Sequence, residues 1–128
     1  MRLIGVDYGT KKIGLALSDE SGSIANPWEV ISTKMAIETI TKICQDEHVG
    51  LIVLGESVDT KGEDNLIMTE IRSFAAKLSA QTKLEVKLEP EYFSSLQVAK
   101  MFGRDKTIDA RAAAIILQSY IDKSKNNI

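Results

Sequence analysis

Apolar residues in this chain come in short blocks, and their spacing changes from one segment to the next. Leu3-Ile4-Gly5-Val6 is a wholly apolar run closed by Asp7, the pattern of a strand buried on both faces. After the polar turn Tyr8-Gly9-Thr10-Lys11-Lys12, the alternation of Ile13, Leu15 and Leu17 predicts the second strand of a hairpin. Asp19-Glu20-Ser21-Gly22 has the composition of a turn. Ser23 to Ile31 reads as a third antiparallel strand, interrupted or confined to an edge by Pro27. The period then lengthens. Ile37, Ile40 and Cys44 stand three and four apart, so a helix capped by Ser32 or Thr33 is predicted to run to about His48, with Gly50 breaking it.

In the second half, Leu51-Ile52-Val53-Leu54 suits a parallel strand covered by helices on both sides and ending at Gly55-Glu56-Ser57. A polar loop from Val58 to Asn65 precedes a second helix with Ile67, Ile71, Phe74, Ala75 and Leu78 on one face. Leu84 to Leu88 alternates as a fifth strand at the sheet edge, marked by Lys83 and Lys87. Ser94 and Gln97 form a capping box for a short helix that Gly103 ends. Ile108 to Lys123 is the last helix, with Ala112, Ala113, Ile116 and Tyr120 on the face of Asp109, and Ser124 to Ile128 is a frayed tail. The order β-β-β-α-β-α-β-α-α, a meander followed by crossovers, predicts an α/β fold. Its sheet is mixed and five-stranded, with strand order 3-2-1-4-5 and helices on both faces, in one domain over residues 1–128.

Composition narrows the setting. With 44% apolar and 27% charged residues, no apolar stretch approaches the roughly twenty residues of a membrane span, so a soluble protein without membrane contact is expected. The N-terminus shows no basic segment leading into an apolar stretch, and Cys44 is the single cysteine; both suit a cytoplasmic protein. A net charge of −2 excludes a strongly basic nucleic-acid coat. The charge is uneven, however: residues 1–96 hold ten Lys/Arg against fifteen Asp/Glu, and residues 97–128 hold six against three. An acidic metal pocket beside a basic C-terminal face would produce that asymmetry, and so would solvated helix faces.

The predicted topology brings four carboxylates towards one rim of the sheet: Asp7 after strand one, Glu56 after strand four, Glu91 after strand five and Asp109 in the first turn of the last helix. Asp7 is the most telling, at a strand end expected to be open to solvent and surrounded by backbone that Gly5, Gly9 and Gly14 allow to come close. Hard divalent cations such as Mg²⁺ or Mn²⁺ take carboxylate oxygens from separate elements. A pair of such ions roughly 3.5–4 Å apart suits phosphodiester cleavage. Taken singly, Asp109 is explained by the helix dipole and Glu56 by an exposed loop; their joint placement points to chemistry.

Gly5-Val6-Asp7-Tyr8-Gly9-Thr10-Lys11-Lys12-Ile13-Gly14-Leu15-Ala16-Leu17-Ser18-Asp19 resembles the opening of the YqgF family, known as Holliday junction resolvases or pre-16S ribosomal RNA nucleases. Ile108 to Tyr120 resembles that family's C-terminal helix. The resemblance spans essentially the whole chain. It implies a ribonuclease H-like fold, a divalent metal and nuclease activity on structured nucleic acid, with Asp7, Glu91 and Asp109 in the family's acidic positions. Two departures stand out. Tyr92 replaces an arginine that usually follows the strand-five glutamate, and Glu56-Ser57 replaces a Leu-Pro pair. Glu56 is therefore expected to supplement or replace Glu91 as a metal ligand.

Lys11, Lys12, Lys100, Arg104, Lys106 and Arg111 are candidate phosphate contacts, with a solvated charged face as the plainer reading. Ser94 matches a family threonine but is explained by its cap, His48 and Cys44 read as structural, and Trp28 reads as packing at a sheet edge or a dimer contact. The expected function is metal-dependent endonucleolytic cleavage of a DNA junction or of precursor ribosomal RNA, by a monomer or a homodimer. A nucleic-acid-binding protein that cleaves poorly is the alternative. The Asp-Tyr-Gly-Thr turn also resembles the phosphate loop of sugar kinases and actin-like ATPases, which need a second domain that 128 residues leave no room for.

Overall fold

The computed structural model describes residues 1–57, 66–91 and 106–126. Strands β1 (Arg2–Asp7), β2 (Lys12–Ser18) and β3 (Ala25–Ser32) form the expected meander. A single 3-10 turn, Thr33–Met35, leads into α1 (Ala36–Asp46), followed by β4 (Val49–Ser57), α2 (Leu66–Thr82), β5 (Val86–Glu91) and α3 (Lys106–Asn126). The sheet order is β3-β2-β1-β4-β5, as the sequence predicts, with β1 antiparallel to β2 and parallel to β4, and β4 parallel to β5. The short helix expected at Ser94 lies outside the described residues.

Strand alternation sorts the side chains between two cores. Ile4 and Val6 of β1, Ile13, Leu15 and Leu17 of β2, and Ile52 and Leu54 of β4 meet Ile40 and Cys44 of α1 and Ile71, Phe74 and Leu78 of α2. On the opposite face Leu3, Ala16, Leu51 and Val53 meet Ala113, Ile116, Leu117 and Ile121 of α3. The sheet is thus covered on both sides, which is why its central strands read as continuous apolar runs.

Several boundaries differ from the sequence reading. Neither Ser32 nor Thr33 caps α1: Ser32 makes no side-chain cap bond, and the Thr33 hydroxyl instead donates to the Gly9 carbonyl at 2.7 Å. Gly50 does not end the helix but lies within β4; the chain reverses at His48, whose φ of 55° is left-handed. Lys83, with φ 63°, closes α2 in the same way, so Lys83 sits before β5 rather than on it. The strand starts at Val86, although Leu84 still packs into the core. At Pro27 the expected irregularity is present. Leu15 pairs with Glu29 and Ala16 with Pro27, leaving Trp28 as the extra residue of an edge bulge, 47% exposed.

Candidate active site

Asp7 ends β1 opposite Gly14 of β2. The sequence suggests a solvent-open carboxylate, yet Asp7 is only 2% exposed. The first turn of α3 lies beside it, against the paired strand. A methyl group on Gly14 would collide with the backbone carbonyl of Asp109, so the first turn of α3 rests directly on the residue paired with Asp7. Only a residue without Cβ admits backbone that close. Asp109, half-buried in that first turn, is where the helix dipole favours a carboxylate. Two of the four predicted acids, 102 positions apart in the chain, therefore share one rim.

Glu56 behaves differently. Val6 is level with Leu54, so Asp7 is one step along beside Gly55, and Glu56 lies beyond it opposite Pro90. Glu56 has the strand parity of Ile52 and Leu54, which belong to the α1/α2 core, whereas Asp7 has the parity of Leu3 and Gly5, which α3 covers. The two acids end adjacent strands on opposite faces of the sheet. Glu91 takes the last register position of β5, opposite Ser57. Among the described residues no three His, Cys, Asp or Glu side chains form a group that could hold a metal ion.

Of the predicted phosphate contacts, Lys11 and Lys12 are exposed in and just after the turn following Asp7, and Arg111 is exposed two residues beyond Asp109. Lys106 is the first residue of α3. Lys100 and Arg104, like Tyr92, lie outside the described residues.

Sequence reasoning missed three participants. Glu89, 3% exposed, accepts hydrogen bonds from Ser119 Oγ at 2.8 Å and Lys123 Nζ at 2.7 Å, tying β5 to α3. Its place next to Pro90 in an acidic stretch disguises it as an edge charge; the parity it shares with position 91 was the available signal. Gln118 fastens α3 to the start of β3, accepting from the Ala25 amide at 2.9 Å and donating to the Ser23 carbonyl at 3.2 Å. Tyr8 lies on the other face, its ring edge-on to Phe74 with centroids 5.1 Å apart and its hydroxyl donating to Glu70 at 3.5 Å. Burial, reinforced by the Glu70 carboxylate, raises its pKa above the ordinary tyrosine value.

Other singled-out residues are structural. Burial pushes the Cys44 thiol up to about 11, far from a reactive thiolate. Asp19 organises the β2–β3 turn by accepting from the Ser21 hydroxyl at 2.7 Å and the Ser23 and Ile24 amides at 2.7 and 3.1 Å. Those donors lower its pKa to about 2. Among the described residues no helix is long and apolar enough to cross a membrane.

Comparison with known proteins supplies an independent line. The family described as "RuvX: Holliday junction resolvase" matches residues 1–123. A Maridesulfovibrio salexigens protein named "Putative pre-16S rRNA nuclease" is 34% identical, the match covering 97% of this chain and all of that protein. A protein of the same name from Pelotomaculum thermopropionicum is 34% identical over 95% of this chain and 87% of its own length. Among solved structures, Thermus thermophilus RuvC superposes with a TM-score of 0.63 at 12% identity, covering 98% of this chain and 97% of its own. Fowlpox virus resolvase in complex with Holliday junction DNA gives 0.60 at 11% identity, covering 97% and 99%. These two structures share the fold, which is that of ribonuclease H-like resolvases.

Proposed function

This chain belongs to the RuvX family, described as Holliday junction resolvase, and from that premise we propose that it is a metal-dependent endonuclease. Its substrate is structured nucleic acid: four-way DNA junctions, or the 5′ region of precursor 16S ribosomal RNA, the latter suggested by the names of its relatives. The observation that carries this reading is the seating of α3 on Gly14, which brings Asp109 to the rim where Asp7 ends its strand.

The donor set suits Mg²⁺ or Mn²⁺, since the groups at the rim are hard carboxylate oxygens with no thiolate or imidazole among the predicted ligands. Asp7, Asp109 and Glu91 would hold it, and Glu91 is preferred to Glu56 because its position shares the parity of Glu89, which faces α3. When bound, such an ion supplies charge neutralisation at the phosphate and an acidified water for in-line hydrolysis. The chain's own part is positional. Asp7, buried at the end of β1, fixes the place of its carboxyl group at the rim, while Glu89 secures β5 to α3. Lys11, Lys12, Lys106 and Arg111, together with Lys100 and Arg104, would guide the phosphate backbone towards it.

The test is cleavage of a four-way DNA junction, a precursor-type RNA and linear duplex in Mg²⁺ and in Mn²⁺ by wild type and Asp7→Asn. Loss of an outer-shell partner of a metal ligand already costs about 10- to 100-fold, so Asp7→Asn should lose more than about a hundredfold while remaining folded. The Tyr92 substitution favours a second reading, a binding protein of the same fold. Tight binding with no metal-dependent cleavage by wild type would select it.

A further inference from the structure

Behind the acidic rim, on the α1/α2 side of the sheet, lies a cleft of about 490 Å³ whose wall is as apolar as it is polar, with Ile37 and Phe74 beside Tyr8, Lys34 and Lys77 and with Glu70 at the Tyr8 hydroxyl. Its size is within the roughly 300–1,000 Å³ of sites that take small organic ligands, room enough for one nucleotide. Two bonds fasten it to the rim. Thr33 donates from its amide to the Lys11 carbonyl at 3.0 Å and from its hydroxyl to the Gly9 carbonyl at 2.7 Å, so the backbone leading into Lys34 is tied to the turn that follows Asp7. Tyr8 follows Asp7 directly, and Phe74 orients its ring from the side.

The charge in the cleft favours an anion. Lys34 and Lys77 are exposed, and among the described residues neither is in an ion pair. Glu70 is the opposing carboxylate and is engaged by the Tyr8 hydroxyl. An aromatic ring that shares a cleft with two cations and hydroxyls has the chemistry for holding a nucleic-acid strand by its backbone and one base.

We propose that this cleft is a second nucleic-acid contact: the strand flanking the cleaved phosphodiester passes over the end of β1, sets a neighbouring phosphate against Lys34 and Lys77, and rests a base on Tyr8. The proposal rests on the nuclease reading, but its test does not require cleavage. In an Asp7→Asn background, the affinity for single-stranded RNA and single-stranded DNA is measured across a salt series, with and without the Lys34→Gln/Lys77→Gln pair. Removing two phosphate contacts should reduce the slope of log affinity against log salt by about 1.4. The strand, RNA or DNA, whose affinity at fixed salt falls more when the pair is removed is the one the cleft prefers. Tyr8→Leu should weaken binding roughly tenfold, with Tyr8→Phe restoring it, because the ring and not the hydroxyl meets the base.

An unchanged salt slope on both sugars, or full affinity in a folded Tyr8→Leu protein, would overturn the proposal. The two readings fail separately. Wild type that cuts while the lysine pair leaves the slope unchanged sinks the cleft alone. Cleft-dependent binding without cleavage by wild type sinks the nuclease alone.

Discussion

The two faces of the sheet are built on different terms. Towards α1 and α2 the strands present Ile4, Val6, Ile13, Leu15, Leu17, Ile52 and Leu54, branched aliphatic side chains that keep the helices at a distance and bury a large apolar area. Towards α3 they present Gly5, Gly14 and Ala16 along the line where the helix crosses, answered by Ala113 and Leu117. A methyl group on Gly5 would approach the Ala113 carbonyl to 2.8 Å. The first face contributes volume and hence stability; the second gives up volume for proximity, and proximity is what puts Asp109 beside the strand that ends in Asp7. In this fold the chemistry belongs to the face with less to bury.

That contrast can be broken from either side. Leu54→Ala on the α1/α2 face should cost about 2–5 kcal/mol in denaturant unfolding while cleavage per folded molecule stays near wild type. If that cavity abolished cleavage in the folded protein, the division of labour would be wrong. Gly14→Ala should destabilise by about 1–3 kcal/mol, because its new methyl meets backbone that cannot swing aside. Its cleavage should fall further than its stability, since α3 must lift away from Asp7. A Gly14→Ala protein that lost stability alone would show that close approach serves packing only.

Smaller effects sharpen the picture. Glu89→Gln should cost about 1–2 kcal/mol by unfolding, the loss of charge-assisted hydrogen bonds discounted because Lys123 is more than half exposed. Metal affinity, measured calorimetrically, should weaken with it if Glu89 sets the position of β5. The smallest effect is expected at the far turn. Asp19 has a folded pKa of about 2, below its ordinary 3.8, so its contribution is present above pH 3.8 and is lost as pH falls towards 2. Asp19→Asn should flatten that part of the stability profile and leave cleavage at neutral pH unaltered.

How much of this was legible beforehand varies with the kind of signal. Strands β1, β2 and β4 were readable because burial on one or both faces writes a period into the chain, and the sheet order followed from the meander and crossovers. The sequence places the end of the first helix at about His48, close to where it falls. It misleads in making Gly50 the breaker and Lys83 part of the edge strand, because the left-handed residue that closes a helix is usually glycine and here it is His48 and Lys83. Glu89 escaped notice because a buried carboxylate looks like an exposed one until its lysine and serine partners arrive from a helix thirty and more positions later. Glu56 looked equivalent to Asp7 because both end neighbouring strands; a one-residue offset in register sets them on opposite faces.

By itself the sequence determined the alternation of elements, the central strand ending in an acid, and the small residues where a helix could come close, since each is a local pattern of size and polarity. Which acids share a rim, that Asp7 is covered rather than open, and that Tyr8 opens a cleft on the reverse side were decided only by the tertiary structure. Those relations depend on register and on how α3 seats across the sheet, and no segment of the chain carries that information alone.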